Sequence, residues 1–446
     1  MTAKLAETRT GGRPATTGTI AGDFALSVGM PDQPPVEGWQ WTRITDVARL
    51  ETGHTPSRKH PEYWGGDVPW IGIKDVTRNH GRTIHDTIQH TNAQGIANSS
   101  ARILPENTVC LSRTASVGYV VVMGRPMATS QDFVNWVCSP HLDHRFLKYV
   151  LLSEHSAFLR FASGTTHQTI YFPEVKAFHI CLPPPAEQGA IGHILQTLDD
   201  KIELNRRMSA TLKAMAGTLF KAWFVDFEPV RLKADGRDPG LPPHLDALFP
   251  DRLVGTEHED IPEGWRFGPV SDFAHLKGGK QLEKDRFAED GPVPVFGGAG
   301  VMGHANEHNA EGYVISVGRV GAYCGQFFAH RGKAWINNNA SLISQLDGVP
   351  GEWLLLSLRN LDMDLIKKGA AQPFVSNSDL AVMPIVAPPS LVLTAFHKLA
   401  EPLFRREEMV HSETENLTAV RDTLLPKLIS GELRVKDAET FLDRVQ

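Results

Sequence analysis

Cysteine is scarce in this chain of 446 residues: Cys110, Cys138, Cys181 and Cys324 stand far apart and form no CxxC pair. That spacing argues against a zinc ribbon or a disulfide framework, and it fits a reducing, cytoplasmic compartment. No uninterrupted apolar run approaches the ~18 residues of a membrane span. The stretch from Met1 to Pro35 is rich in Thr, Gly and Pro and lacks the apolar stretch of a signal peptide, so a disordered tail is expected there. An excess of basic charge is also missing. With 45 Lys and Arg against 51 Asp and Glu, the net charge is −6, which excludes a globally basic nucleic-acid coat. A basic patch on one face stays possible, because electrostatic binding follows local potential. Catalytic punctuation is absent as well: there is no GxxxxGK(S/T) loop, no GxSxG elbow and no Asn-Pro-Pro-aromatic or Asp-Pro-Pro-aromatic tetrapeptide.

Apolar residues at 41% and charged residues at 22% describe a globular protein with a sizeable core. At roughly 150 residues per domain the length allows about three domains. The most informative feature is an internal duplication. Glu37-Gly38-Trp39 recurs as Glu263-Gly264-Trp265, and Leu50-Glu51-Thr52-Gly53 lines up with Leu276-Lys277-Gly278-Gly279. Val68-Pro69 then matches Val293-Pro294, Val117-Gly118 matches Val320-Gly321, Gly164 matches Gly369, and Pro183-Pro184 matches Pro388-Pro389. The spacing between partners holds, shortens once, and holds again. Two copies of one domain, the second with a shortened loop, explain that order; the period is far too long for a solenoid.

Each copy reads as short apolar strands punctuated by Gly, Pro and Asn, then a helix (residues 145–161 and 352–366), then a Pro-rich stop. Beyond each stop the period turns helical. Apolar residues fall at Leu198, Ile202, Met208, Leu212, Met215, Leu219 and Trp223, and again at Leu399, Leu403, Val410, Leu417, Val420, Leu424 and Leu428. Such steps make a packing seam, and two stripes of similar length are expected to pack on each other. Asn205, Arg406 and Glu413 interrupt the seams. The expected division is a tail at 1–35, a first strand-rich domain at 36–185, a helical spacer at 186–227 and a linker at 228–261. A second strand-rich domain at 262–389, a second spacer at 390–435 and a short tail at 436–446 complete it.

Two motifs imitate enzyme sites. Gly298-Ala299-Gly300-Val301-Met302-Gly303 matches GxGxxG, and His304, Glu307 and His308 match HxxEH. The first needs a helix opening at the glycines, and the second needs both histidines on one helical face. No apolar helical face is written there, so a tight turn is expected. A metal or nucleotide enzyme using residues 298–308 is one rival reading; a coiled-coil scaffold that binds protein is another.

Polar and basic residues cluster near the turns of both strand-rich domains. In the first copy they are Lys74, Arg78, His80, Arg82, Arg113, Thr114, His167 and Gln168. In the second they are Arg319, Arg331, Lys333, Asn337, Asn338, Lys367, Lys368 and Gln372. Arg and Lys neutralise phosphate or pair with guanine, and Asn and Gln pair with adenine. The helix from Leu198 to Trp223 would span roughly 40 Å, against ~34 Å for a turn of B-DNA.

The stretch Thr218-Leu219-Phe220-Lys221-Ala222-Trp223-Phe224-Val225-Asp226-Phe227-Glu228-Pro229-Val230 carries a family resemblance. So do Gly240-Leu241, Leu248-Phe249-Pro250, Ile261-Pro262-Glu263-Gly264-Trp265 and Leu424-Leu425-Pro426-Lys427-Leu428-Ile429-Ser430-Gly431-Glu432-Leu433. Taken in order, over residues 36–435, they resemble the specificity subunit of a type I restriction-modification system. The resemblance implies an α+β chain with two target-recognition domains, each reading half of a split, asymmetric double-stranded DNA sequence. Its two long helices would pack as an antiparallel coiled coil and dock two modification subunits. The chain itself would be non-catalytic and without a metal. Adenine methylation with S-adenosylmethionine would belong to the modification subunits, and ATP- and Mg-dependent translocation and cleavage to restriction subunits.

Overall fold

The computed structural model describes residues 18–32, 36–163, 168–257, 259–369 and 372–438. The chain forms two compact units. One takes the chain to Leu204 together with the stretch from Glu413 on; the other runs from Asn205 to Ser412. The division cuts both long helices, Pro185–Phe224 and Ser390–Ser430. Each unit therefore holds one strand-rich domain and half of each helix, a grouping that a serial division into domains and spacers does not express.

The first unit contains β1 (Ile20–Ala21), β2 (Leu26–Val28), β3 (Gln40–Arg43), β4 (Ala48–Thr52), β5 (Trp64–Ile71), β6 (Thr83–Ile84), β7 (Gln89–Thr91), β8 (Val109–Ser112), β9 (Val120–Met123), β10 (Ala128–Thr129), β11 (Phe133–Cys138) and β12 (Phe178–Leu182). They form sheets in the orders β4-β11-β8-β9-β6, β10-β5-β7 and β1-β2-β12-β3. Alternation along β8 and β9 feeds two cores at once. Val109, Leu111, Val120 and Val122 face the main core; Cys110, Val121 and Met123 face a smaller one with Ile71 and Phe133.

The second unit contains β13 (Leu253–Val254), β14 (Ile261–Pro262), β15 (Arg266–Pro269), β16 (Ala274–Gly278), β17 (Val293–Gly297), β18 (Gly300–Ala305), β19 (Tyr313–Gly318), β20 (Phe327–Arg331), β21 (Trp335–Ile336), β22 (Ala340–Gln345) and β23 (Pro384–Ala387). The orders β16-β22-β19-β20, β18-β17-β21 and β15-β23 repeat those of the first unit, without counterparts of β6, β1 and β2. Both units even share a parallel pair, β10 with β5 and β21 with β17. The shortening is now placed. Between β5 and β7 the first unit inserts the helix Ile73–Arg78 and the edge strand β6. The second unit joins β17 to β18 through Gly298 and Ala299 alone.

Two expectations are corrected. Residues 20–28 are not a disordered tail. β2 pairs with β12, and Ala25, Leu26 and Val28 are buried in the main core. The buried carboxylate of Glu154 accepts from the backbone amides of Asp23, Phe24, Ala25 and Leu26 at 2.5–3.1 Å, which holds the loop between β1 and β2. Nor is 228–261 a bare linker: the helix Glu228–Ala234 follows Phe227, and Phe227, Val230 and Phe249 join the second unit's core beside Trp265.

The long helices pair in each unit with numbering that rises on one as it falls on the other. In the first, Asp199 meets Arg421 at 3.1 Å and Lys201 meets Glu413 at 3.2 Å, and just past the second helix Arg434 meets Glu187 at 2.9 Å. In the second, Ser209 and Lys213 meet Glu407 at 2.7 and 2.9 Å, while Phe220, Trp223 and Phe224 surround Phe396 with ring centroids 5.1–6.2 Å away. The pairing is antiparallel. Among the seam residues, Leu198, Ile202, Val410 and Leu424 are buried, and Leu212, Leu219, Leu403 and Leu417 are half-buried. Of the polar interruptions, Asn205 is fully buried, whereas Glu413 sits outside with Lys201.

A buried charge seats each domain on its helices. In the first unit Lys148, 1% exposed, donates to Gln196 Oε1 at 3.0 Å and Asp199 Oδ2 at 3.1 Å, and Tyr149 donates to Asp199 at 2.6 Å. In the second the charge is reversed: buried Glu352 accepts from Arg331 at 2.9 Å and pairs with His397 at 3.0 Å.

Candidate nucleic-acid interface

Four loops meet at one end of the first domain. The His54 amide donates to Thr129 O at 2.9 Å, and Thr55 Oγ1 donates to Gln131 Oε1 at 2.5 Å. Arg113 closes the group with its own backbone: its amide donates to Asp132 O, and its carbonyl accepts from the Ile170 amide, both at 2.8 Å. Thr114 and Thr169 hydroxyls are 2.7 Å apart. Gly53 is required here, because a Cβ would stand 2.0 Å from Ser130 O.

The second domain rebuilds the same junction. Lys280 N donates to Ile336 O at 2.9 Å, Arg319 N donates to Asn339 O at 3.0 Å, and Arg319 O accepts from Val375 N at 2.9 Å. Gly279 repeats the role of Gly53, with 2.0 Å between a built Cβ and Asn337 O. Arg113 and Arg319 thus occupy matching positions, and Gln131 and Asn338 match one residue before Asp132 and Asn339.

The two guanidinium groups share an electrostatic predicament. Arg113 Nε and Arg319 Nε are buried and have no hydrogen-bond partner. Arg113 donates through Nη2 to Gln131 O at 3.0 Å and lies 4.7 Å above the Phe172 ring. Burial pulls its proton affinity down, opposed by Asp132 and Tyr171. Among the described residues no carboxylate makes an ion pair with either arginine. A half-desolvated cation with an unsatisfied donor is costly unless an anion or an acceptor edge completes it.

The remaining candidates divide. Lys74 and Arg78 are exposed on the inserted helix Ile73–Arg78, with no ion pair among the described residues. Gln168 is exposed beside Thr169, and His167 lies outside the described residues. Lys333 and Gln372 are exposed; Lys367 pairs with Asp364 and Lys368 with Asp379, both at 2.7 Å. The bridge Lys368↔Phe374 sets that loop where Ser163↔Thr169 sets its counterpart. Three candidates are used internally. Arg82 pairs with Glu203 at 3.1 Å, Arg331 is held by Glu352 and Glu408, and buried Asn337 accepts from the Leu282 and Asn338 amides. His80 accepts from the Val120 amide at 3.1 Å, which requires Nδ1 unprotonated. Gln131, Gly53 and Gly279 were not singled out as site residues; the aligned glycines of the repeat were the available signal.

The segment 298–308 takes a different form from an enzyme site. Gly298 and Ala299 are the turn of a β-hairpin, with Gly300 at φ 98°, so no helix opens at the glycines. His304 lies on β18, Glu307 accepts from Arg286 at 2.5 Å, and His308 faces Glu311 at 3.5 Å. Among the described residues no helix is long and apolar enough to cross a membrane.

Comparison with known proteins agrees with this architecture. A family model described as the type I restriction modification DNA specificity domain matches residues 36–214 and again 262–391. The MjaIX type I restriction enzyme specificity subunit of Methanocaldococcus jannaschii is 27% identical over 434 residues, 90% of this chain and 94% of that one. The HindI specificity subunit of Haemophilus influenzae is 29% identical over 473 residues, 89% of this chain and 99% of that one. The crystal structure of a type I S subunit from M. genitalium covers 89% of this chain and 98% of its own, with a TM-score of 0.65 at 18% identity; that likeness concerns the fold.

Proposed function

Since the chain belongs to the family of type I restriction-modification DNA specificity subunits, we propose that its two loop clusters each read one half of a split, asymmetric DNA target. The observation that carries this reading is the matched pair Arg113 and Arg319, each half-buried with Nε unsatisfied at the same junction of four loops. A contact built identically in both halves suits what both halves share, the phosphate backbone. Residues that differ at matching places, such as Gln131 against Asn338, suit the base edges that distinguish them. The inserted helix with Lys74 and Arg78 gives the first domain additional contacts that the second lacks.

On this reading the paired helices fix the spacing between half-sites and dock two modification subunits. Those subunits bind S-adenosylmethionine and methylate adenine; ATP and magnesium serve restriction subunits. This chain contributes recognition and no catalysis, in the cytoplasm.

The test is a genome-wide map of adenine methylation with and without the gene, then with residues 36–182 exchanged for those of a relative of different specificity. Loss of methylation at one split motif, and a change in only one half after the exchange, is expected. A change in both halves would refute modular reading. Arg113→Ala and Arg319→Ala should each weaken DNA binding and flatten its salt dependence, because each removes a released counterion.

A further inference from the structure

We infer that Arg58 reads a guanine edge within the half-target of the first domain, an inference that rests on the proposed DNA-reading role. Arg58 lies three residues beyond Thr55, in the loop anchored to Gln131 and hence to the Arg113 junction. Its loop is fixed on both sides. Trp70 Nε1 donates to His54 O at 3.1 Å, Pro56 is buried, and the turn Pro61–Tyr63 is tied down by Thr91 Oγ1 donating to Tyr63 O at 2.7 Å.

On that support the Arg58 guanidinium carbon lies over Trp64, 3.7 Å from the ring centroid, with the Trp70 centroid 5.2 Å away. Nη2 donates to Gln89 Oε1 at 2.7 Å. The group is exposed, and among the described residues it has no carboxylate partner. Stacking on one face and one hydrogen bond on an edge hold the fork in a single plane. Nη1 and the second hydrogen of Nη2 are then the donors that this exposed group can offer to a ligand. That geometry matches guanine O6 and N7, and a rigid fork loses little freedom on binding.

Among the described residues the corresponding loop of the second domain holds no arginine stacked on a tryptophan. Its arginine in the corresponding loop, Arg286, is neutralised by Glu307. An arginine kept unpaired in one copy and paired in the other marks a difference in what the two halves read, whereas Arg113 and Arg319 mark what they share. A flexible surface arginine would show neither the aromatic stack nor the fixed edge contact.

The experiment uses the full chain expressed with its modification subunits, and reads adenine methylation across the host genome for wild type and Arg58→Lys. Lysine keeps the charge and removes the planar fork. The expected result is methylation that spreads to sites carrying other bases at one position of one half-target, with discrimination there reduced about 5- to 100-fold. The other half-target stays unchanged. An unchanged motif, or a uniform loss at every site, would overturn the inference and leave Arg58 as a phosphate contact or a prop for Trp64. Arg58→Ala and Trp64→Leu, monitored by thermal melting, separate lost recognition from lost folding: both should relax the same position without a large melting shift. If the wild-type complex methylates no split motif, the DNA-reading proposal itself falls.

Discussion

The seat of the first domain sets up an asymmetry that can be measured. Asp199 is a hub: it accepts from Lys148, Tyr149 and Arg421 at 2.6–3.1 Å, and it lies on the long helix while Lys148 and Tyr149 belong to the domain. Removing Asp199 leaves Lys148, 1% exposed, as an uncompensated buried cation, with only the amide oxygen of Gln196. Breaking a buried pair from one side costs about 3–5 kcal/mol. The Tyr149 hydroxyl is orphaned by the same change, adding about 1–3 kcal/mol for its unmet donor. Removing the lysine is different. Lys148→Met fills the same volume and leaves Asp199 with Tyr149 and Arg421, so its cost should stay below about 1.5 kcal/mol. Burial already holds the Lys148 ammonium below its ordinary range, opposed by Asp199. Without Asp199 its pKa falls further, so the damage from Asp199→Ala should shrink as the pH is raised from 6 to 9 and the amine deprotonates. Hydrogen exchange of peptides covering residues 144–153 and 185–199 reports this seat directly. Faster exchange in Lys148→Met than in Asp199→Ala, or a penalty independent of pH, would refute the reasoning.

Phe396→Ala removes the ring that Phe220, Trp223 and Phe224 enclose; a loss of about 3–5 kcal/mol is expected, seen by calorimetry as an earlier transition of the second unit. Glu154→Ala takes the acceptor from four amides, so exchange at Asp23–Leu26 should rise by the equivalent of roughly 3 kcal/mol while β8 and β9 stay protected. Burial, His155 and Arg421 push His80 down to about 4. Its folded pKa lies below the unfolded value, so the unfolded chain binds the extra proton; stability should be full above about pH 6.5 and fall towards pH 4. Since the ring is partly exposed, solvent screening limits the effect to about 1 kcal/mol, and His80→Gln should flatten that part of the urea-midpoint profile. Gly53→Ala and Gly279→Ala should each impair DNA binding through their own half-site, since a Cβ at either displaces the crossing loop.

Repetition and period were legible in the residues, and partners across space were not. Leu50 and Leu276, and Val68 and Val293, occupy matching places in matching strands, and Pro183 and Pro388 each follow the last residue of matching strands. Val117-Gly118 was paired with Val320-Gly321, yet the backbone equates Gly118 with Gly325: each donates to the carbonyl that closes its strand, Ser112 O and Gly318 O. Short Val-Gly pairs are too common to fix register inside a turn. The buried strand β2 was hidden because its ordering comes from Glu154, far along the chain. Arg82, Arg331 and Asn337 read as free polar side chains for the same reason. Whether a cation is available depends on a carboxylate that composition cannot locate, such as Glu203 for Arg82. Arg113 and Arg319 were both named beforehand, but their equivalence emerged only from the loops that cross them.

The division of both long helices between the units has a consequence for synthesis. The first unit needs Leu424, Leu428 and Ile429 against Ile191, Ile194 and Leu195 to close its core. Those residues leave the ribosome only after the whole second unit has been made. Until then the amino-terminal half carries an open apolar face, the kind of surface that attracts chaperones and proteases. A chain broken off early can finish neither its last helix nor its first domain. Closure of the first core therefore waits for the second long helix, and a product that lacks that helix leaves the apolar face open to quality control.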